Sequence, residues 1–147
     1  MKRIILITLL ISQLTLITPS WLSAKTRFTN LYIDQHKFLA EVMSSPEQIE
    51  KGMMFRETMS KNFAMLFIFK EEAPRGFWMK NCHVHLDIIY LNRDKEIINI
   101  HHNVPPCKAD PCRSYYSDKP AQYVVEIKGT LSKKLGLKPG DSFDFIL

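Results

Sequence analysis

The chain has 147 residues, of which 46% are hydrophobic and 24% are charged, and its formal net charge at pH 7 is +5. A chain of this length can bury one hydrophobic core, and no linker, repeat or low-complexity segment divides it. The basic residues are scattered, so the sequence lacks the basic stripe that is typical of nucleic-acid-binding proteins, and no nucleic-acid partner is predicted.

The first 24 residues have the features of a signal peptide. Two basic residues precede an apolar run at residues 4–17, and residues 22–24 resemble a cleavage site. The run is too short for a typical membrane-spanning helix, so an uncleaved anchor is the second interpretation. We predict a signal peptide at residues 1–24, a single domain at residues 25–147, a periplasmic or secreted location, and no stable membrane span after cleavage.

Alternation of apolar and polar residues, which is typical of strands, begins after the signal segment. Residues 28–33 and 38–42 flank a short turn and predict a β-hairpin. Ser45 to Gln48 has the pattern of a helix capping box with proline in the first turn, and Gly52 is typical of a helix end, so a short helix is predicted between them. The strands of a meander are predicted to follow at residues 65–69, 77–81, 86–91 and 96–101.

Residues 102–120 then lack periodicity and contain several prolines, which predicts a long loop with a function. Strands are predicted at residues 123–127 and 142–146, with a short helix capped by Thr130 between them. No long helical crossovers separate the strands. The predicted fold class is therefore mainly β (α+β), with a single curled, mainly antiparallel sheet or a small barrel and two short helices.

Export would place the cysteines in an oxidising compartment, where disulfides persist. Cys107 and Cys112 lie in a loop rich in turn-forming residues, so a local disulfide between them is predicted. Metal binding and redox exchange are the alternatives, although no second cysteine pair completes a four-ligand site. Cys82 is interpreted as a small buried hydrophobic residue, with a reactive thiol as the alternative.

Two carboxylates, Asp87 and Glu126, lie within apolar strand segments. A carboxylate in such a place must be paired, hydrogen-bonded or shifted in pKa. The cations that could pair with them are Arg56, Arg75 and Lys80. A structural ion pair at a sheet edge is one interpretation, and a ligand-binding or acid–base role is the other.

A metal site is a weaker alternative to a site that binds an organic ligand. If residues 83–87 are extended, His83, His85 and Asp87 share one face of the strand and could hold a transition metal. Histidines at a strand rim are also easily hydrated, so no cofactor is predicted. Methionines that could form a surface cluster for cuprous copper are Met53, Met54 and Met59, although their spacing matches no recognised copper motif.

Seven runs of sequence form a recognisable set, namely GMMFRETM, AMLFIF, GFWMKN, LDIIYL, PPCKADPC, SYYSDKPAQYVVEI and LGLKPGD. Together they resemble the domain-of-unknown-function 192 (DUF192) family over residues 38–146, and the Phe-Trp-Met-Lys-Asn run followed by Leu-Asp is the specific part. The resemblance implies a small, β-rich and often exported protein, with no assigned reaction to transfer. The positions that match the family's motifs are Met54, Phe55, Arg56, Trp78, Met79, Lys80, Asn81, Leu86, Asp87, Cys107, Cys112, Tyr115 and Glu126. His83-Val84-His85 departs from the family pattern, so a metal site there would belong to this chain and not to the family.

The predicted site is a shallow pocket between the tryptophan-containing strand and the cysteine-containing loop. Its ligand-binding candidates are Arg56, Trp78, Lys80, Asn81, Asp87, Tyr115 and Glu126. This aromatic and polar mixture suits a small polar or sugar-like ligand. We predict that the chain is an exported envelope protein that acts as a small-ligand-binding or accessory domain. The alternatives are a hydrolase or transferase that uses Asp87 with a histidine, and a copper- or zinc-handling protein.

Overall fold

A computed structural model of the chain describes residues 26–147. The predicted signal peptide at residues 1–24, and the start of the mature domain at residue 25, lie outside the described residues. Within residues 26–147 no helix is both long and apolar enough to cross a membrane. The elements in chain order are β1 (Arg27–Ile33), β2 (His36–Met43), α1 (Pro46–Lys51), β3 (Phe63–Ala73), β4 (Gly76–Trp78), β5 (Leu86–Leu91), β6 (Ile97–Val104), β7 (Ser114–Tyr116), β8 (Ala121–Lys128), α2 (Leu131–Lys134) and β9 (Asp144–Phe145).

Seven strands form one strongly curled sheet in the order β6-β5-β8-β3-β2-β1-β9. Strands β4 and β7 form a separate two-stranded ribbon. Neighbouring strands are antiparallel except β2 and β3, which pair in parallel because α1 and the segment after it return the chain to the same end of the sheet. The predicted fold class, a mainly β domain with a curled sheet and two short helices, is confirmed.

The strand order differs from the predicted meander. Strands β5 and β6 do form a hairpin, but β8 lies between β3 and β5, and β4 leaves the sheet to pair with β7. Strand β7 lies inside residues 102–120, which the sequence predicts to be a loop. Local periodicity identifies strands but carries no information on which distant strands pair, so this part of the prediction was wrong.

Helix α1 has the predicted capping box. The Ser45 side chain accepts a hydrogen bond from the backbone N of Gln48 at 3.3 Å, and the Gln48 side chain accepts one from the backbone N of Ser45 at 3.1 Å. Helix α2 is different, because Thr130 makes no side-chain capping bond. Thr130 is the N-cap residue, as predicted, but its side chain does not form the capping hydrogen bond. Asp87 of β5 replaces it, since its carboxylate accepts hydrogen bonds from the backbone N of Thr130 and of Ser132.

The two faces of the sheet carry two separate cores. Alternation along β8 shows the division, because Val125 and Ile127 belong to the first core and Val124 to the second. The first core includes Phe145 of β9, and α2 packs against it. The second core is covered by α1, the turn after it and the β4–β7 ribbon. Glu126 alternates with the first-core residues of β8, so its carboxyl group faces the second core.

Gly129 lies at the end of β8, where the chain passes close to the segment before β5. Its backbone N donates a hydrogen bond to the carbonyl O of His85 at 2.9 Å. A Cβ atom at this position would lie 2.8 Å from Asn103 Oδ1 and 2.8 Å from His85 Cβ. We expect Gly129→Ala to lower the free energy of unfolding by about 2 kcal/mol, because neighbouring backbone must shift to admit the methyl group.

Urea denaturation measures this loss. Gly136→Asn is the matched control, because a Cβ there has nothing within 4 Å and asparagine tolerates the positive φ of 70°. Equal losses in the two variants would show that close contact at Gly129 is not what requires glycine.

Candidate functional site

The tryptophan-containing strand and the cysteine-containing loop lie against each other, as the predicted site requires. Strand β4, which ends at Trp78, pairs with β7 along its whole length. Beyond β4, the backbone N of Cys107 donates a hydrogen bond to the carbonyl O of Met79 at 3.1 Å. Cys107 and Cys112 form the predicted disulfide. The ribbon and the disulfide loop therefore form one continuous cover over part of the second core.

A cavity of about 160 Å³ lies under this cover, between the ribbon, α1 and the sheet. Its lining is mainly apolar, with one thiol and one buried carboxyl group. The lining residues that matter for binding are Met53, Phe67, Phe77, Trp78, Cys82 and Glu126. We call this space the Glu126 cavity.

The Glu126 carboxyl group has an oxygen, Oε2, that receives no hydrogen bond from the protein. The residue is 3% exposed, and its Oε2 is buried without any hydrogen bond. Among the described residues, no other buried side-chain oxygen or nitrogen lacks a partner. Burial raises the pKa of Glu126 from its ordinary value of 4.5 to about 8. At neutral pH the group is therefore mostly protonated when the cavity holds no counter-ion.

The register of the sheet explains why Glu126 is isolated. One row of side chains crosses the second face from β2 to β6, and its members in order are Glu41, Met65, Glu126, Ile88 and His101. Apolar Met65 and Ile88 flank Glu126, so the polar ends of the row are each two strands away, roughly 10 Å. Both ends have partners of their own. Arg56 Nη2 donates to Glu41 Oε2 at 2.7 Å, and His101 Nε2 lies 2.7 Å from a backbone carbonyl O of β7.

Two neutral groups share the surroundings of Glu126. Burial, with a smaller contribution from the Glu126 charge, raises the pKa of the Cys82 thiol to about 12. The same two causes, in the same order, raise the pKa of Tyr90, whose hydroxyl donates to the carbonyl O of Tyr115 at 2.7 Å. Neither group can act as a counter-ion. Cys82 is a buried free thiol, which fits its interpretation as a packing residue.

Lys80 and Asn81 line a different depression together with residues of the disulfide loop, and we call it the outer depression. Lys80 Nζ donates to Asp110 Oδ2 at 3.2 Å. Strand β4 ends at Trp78, and Asn81 has a positive φ of 55°, so the regular alternation predicted for residues 77–81 is interrupted. The structure therefore does not bring Lys80 or Asn81 to the cavity that Trp78 lines.

Asp87 faces away from both the Glu126 cavity and the depression lined by Lys80. It is completely buried on the first face of the sheet, and its carboxylate accepts four hydrogen bonds. The donors, at 2.6–3.0 Å, are the backbone N of Asn103, the backbone N of Thr130, and the backbone N and Oγ of Ser132. Asp87 thus joins the end of β6 to the start of α2. These donors saturate the carboxylate, and Asp87 does not line the cavity that Trp78 and Glu126 share.

Asp87 does reach a histidine, but only through Ser132. Ser132 Oγ lies 2.7 Å from Asp87 Oδ2 and 2.7 Å from His102 Nδ1. A nucleophilic serine needs an exposed hydroxyl and a histidine between itself and the carboxylate. Here the serine is in the middle and is completely buried. The geometry is that of a structural hydrogen-bond chain.

The predicted metal ligands are also apart. Residues 79–85 do not form a strand, so His83, His85 and Asp87 do not share a strand face. His83 Nε2 lies 3.9 Å from Glu57 Oε1 at the surface. In the part of the chain that the structure describes, no three His, Cys, Asp or Glu side chains are placed to hold a metal ion.

The methionines do not form the predicted surface cluster. Met53 and Met59 are buried in the second core, and Met54 is partly buried. Met53 and Met54 both line the Glu126 cavity. They therefore contribute thioether surface to its wall.

Of the seven ligand-binding candidates, the structure brings Trp78 and Glu126 to one cavity. Arg56 is engaged by Glu41, and the Tyr115 ring packs against His101 with 5.4 Å between ring centroids. The cavity residues that sequence reasoning missed are Met53, Phe67, Phe77 and Cys82. Alternation in the predicted strand at residues 123–127 could have indicated that Glu126 shares a face with Val124, but not what covers that face.

The fold and site define a small β domain with a curled sheet and a cavity between the sheet, α1 and the β4–β7 ribbon. The chain belongs to the DUF192 family, described as Uncharacterized ACR, whose sequence profile matches residues 29–145. This confirms the resemblance found in the sequence motifs.

The chain is also similar to a curated protein and to solved structures. A UPF0127 protein of Pyrococcus furiosus is 25% identical over 99 residues, which are 64% of this chain and 75% of that protein. The crystal structure of a proposed transcription regulator from Sinorhizobium meliloti 1021 has a TM-score of 0.75 and 32% identity, covering 82% of this chain and 95% of that one. A protein of unknown function from Novosphingobium aromaticivorans has a TM-score of 0.72 and 29% identity, covering 81% and 84% of the two chains.

Proposed function

We propose that this protein is an exported envelope domain that binds a small ligand in the Glu126 cavity. Its location would be the periplasm or the exterior, as expected from the signal-like features of residues 1–24. The observation that carries the binding proposal is the buried Oε2 of Glu126, which lacks any hydrogen bond in the protein. A buried polar group without a partner is costly, so such a group at a cavity wall calls for a partner from outside the chain.

The composition of the cavity favours binding over catalysis. Nucleophilic catalysis needs an activated nucleophile next to a base. The thiol of Cys82 lines this cavity, and burial raises its pKa to about 12, which keeps it protonated. A mostly apolar cavity with one convergent polar group is instead typical of small-molecule binding sites.

A ligand screen with site-specific variants tests this proposal. A panel of small metabolites is added to the wild-type protein at pH 7, and binding is followed by ligand-observed NMR and by the shift in Tm. We expect at least one compound to bind and raise Tm, because a ligand stabilises the folded state that binds it. Lys80→Ala, in the outer depression, should leave binding unchanged, whereas Glu126→Gln should weaken it or change which compounds bind.

Two outcomes would contradict the proposal. If no compound in a broad panel binds, the cavity is not a ligand site. If Lys80→Ala abolishes binding while variants of the Glu126 cavity retain it, the ligand occupies the outer depression beside the disulfide loop.

A further inference from the structure

Resting on the proposed function, we propose that the ligand of the Glu126 cavity is a small organic ammonium ion with at least one N–H group. Its charged nitrogen donates to the carboxylate of Glu126, and its alkyl part contacts the apolar wall. The proposal concerns primary and secondary amines of a few heavy atoms in their protonated form.

The charge of the ligand follows from what surrounds Glu126. Its row neighbours in the sheet are apolar, and Arg56, which lies at the Glu41 end of that row, is paired with Glu41 at 2.7 Å. Lys51 and Glu50 of α1 line the mouth of the cavity, but both are exposed and their charges are opposite. Among the described residues, no lysine, arginine or histidine forms an ion pair with Glu126, and a cationic ligand would supply the missing counter-charge.

The wall suits an organic cation. Phe67 and Phe77 meet edge to face, with 4.8 Å between ring centroids, and Trp78 completes the aromatic side. Aromatic faces attract cations, and they pack equally well against alkyl carbons. Met53 adds a polarizable thioether surface, which adapts to ligands of different shape.

The size of the cavity limits the ligand. Its volume of about 160 Å³ is below the roughly 300–1,000 Å³ of sites for drug-sized molecules. A sugar ring with its hydroxyl groups would also need several polar partners, and the buried lining offers one carboxyl group and one thiol. These limits favour an alkylammonium ion over the sugar-like ligand that the sequence predicts.

Binding of a cation should be linked to proton release. The carboxyl group of Glu126 is mostly protonated in the empty cavity, and pairing with an ammonium ion requires it to lose that proton to solvent. The affinity should therefore rise about tenfold per pH unit up to the pKa of Glu126, near 8, and then level off. Cys82 and Tyr90, which also face Glu126, do not titrate in this range because burial raises their pKa values. The charged side chains at the cavity mouth are those of Glu50 and Lys51.

Isothermal titration calorimetry of the full domain tests the proposal with propylammonium as the probe and propan-1-ol as its uncharged counterpart. In buffers of different ionisation enthalpy at pH 7, we expect close to one proton released per propylammonium bound. Propan-1-ol should bind at least tenfold more weakly. Glu126→Gln should weaken the binding of propylammonium at least tenfold, and Lys80→Ala should leave that binding unchanged.

Tetramethylammonium separates charge from hydrogen bonding, because it is a cation without an N–H donor. We expect it to bind more weakly than propylammonium. Equal binding would overturn the N–H requirement.

The outcomes distinguish this inference from the proposed function. If uncharged compounds bind in the cavity as tightly as propylammonium, with no proton release and no loss in Glu126→Gln, the ammonium inference is wrong while the binding function stands. If neither charged nor uncharged compounds bind, both are wrong. Stoichiometric retention of cuprous copper by wild-type protein and by Glu126→Gln alike would also overturn the inference, since it would assign the cavity to sulfur ligands.

Discussion

Glu126→Gln is expected to remove a large part of the pH dependence of stability between pH 5 and pH 8. The pKa of Glu126 is about 8 in the folded protein against an ordinary value of 4.5, so in this range the folded state binds more protons than the unfolded state. The contribution of Glu126 to the free energy of unfolding therefore falls as the pH rises from 4.5 through 8. A shift of this size corresponds to a change of up to about 5 kcal/mol.

Urea denaturation of both proteins at several pH values measures this difference. The quantity to follow is the difference in the free energy of unfolding between Glu126→Gln and wild type, which should grow in favour of the variant as the pH rises. Glu50→Gln, an exposed change at the cavity mouth, is the matched control and should keep the wild-type dependence. A difference for Glu126→Gln that stays constant from pH 5 to pH 9 would mean that Glu126 ionises normally.

Asp87→Asn is expected to lower the free energy of unfolding by about 4 kcal/mol, since hydrogen bonds to a charged group are stronger than neutral ones and buried donors would lose their acceptor. The carboxylate accepts four hydrogen bonds in a completely buried place, and an amide has only one oxygen to accept them. Equilibrium unfolding in urea at pH 7 gives the measurement.

Asp110→Asn is the control for Asp87→Asn. Asp110 forms an exposed ion pair with Lys80, and the loss of such a pair costs at most about 1 kcal/mol. If Asp87→Asn were as stable as wild type but lost ligand binding, the role predicted for Asp87 from the sequence would be restored and its structural role rejected.

The local features of the fold were predictable because neighbouring residues determine them. The capping box of α1 is formed by Ser45 and Gln48, three positions apart, and the disulfide joins Cys107 and Cys112 across a short loop. The first hairpin follows from alternation within β1 and β2. The β4–β7 ribbon and the position of β8 between β3 and β5 were not predictable, because they depend on pairing between segments far apart in the chain.

Prediction of the candidate site from the sequence was limited in the same way. In the sequence, Asp87 and Glu126 look alike, since each is a carboxylate within an apolar strand. In the structure, distant donors at the end of β6 and the start of α2 saturate Asp87, whereas the apolar cover over Glu126 provides none. Sequence reasoning could select both carboxylates, but it could not tell which one the folded chain leaves without a partner.

Carbon-13 NMR of the side-chain carboxyl groups would test the binding role of Glu126 most directly. The Glu126 signal is assigned by its loss in Glu126→Gln and is followed from pH 4 to pH 10, with and without saturating propylammonium. We expect a midpoint near pH 8 in the free protein and a midpoint lowered by the ligand. A Glu126 midpoint near 4.5, unmoved by any ligand of the panel, would contradict both the isolation of this carboxyl group and its role in binding.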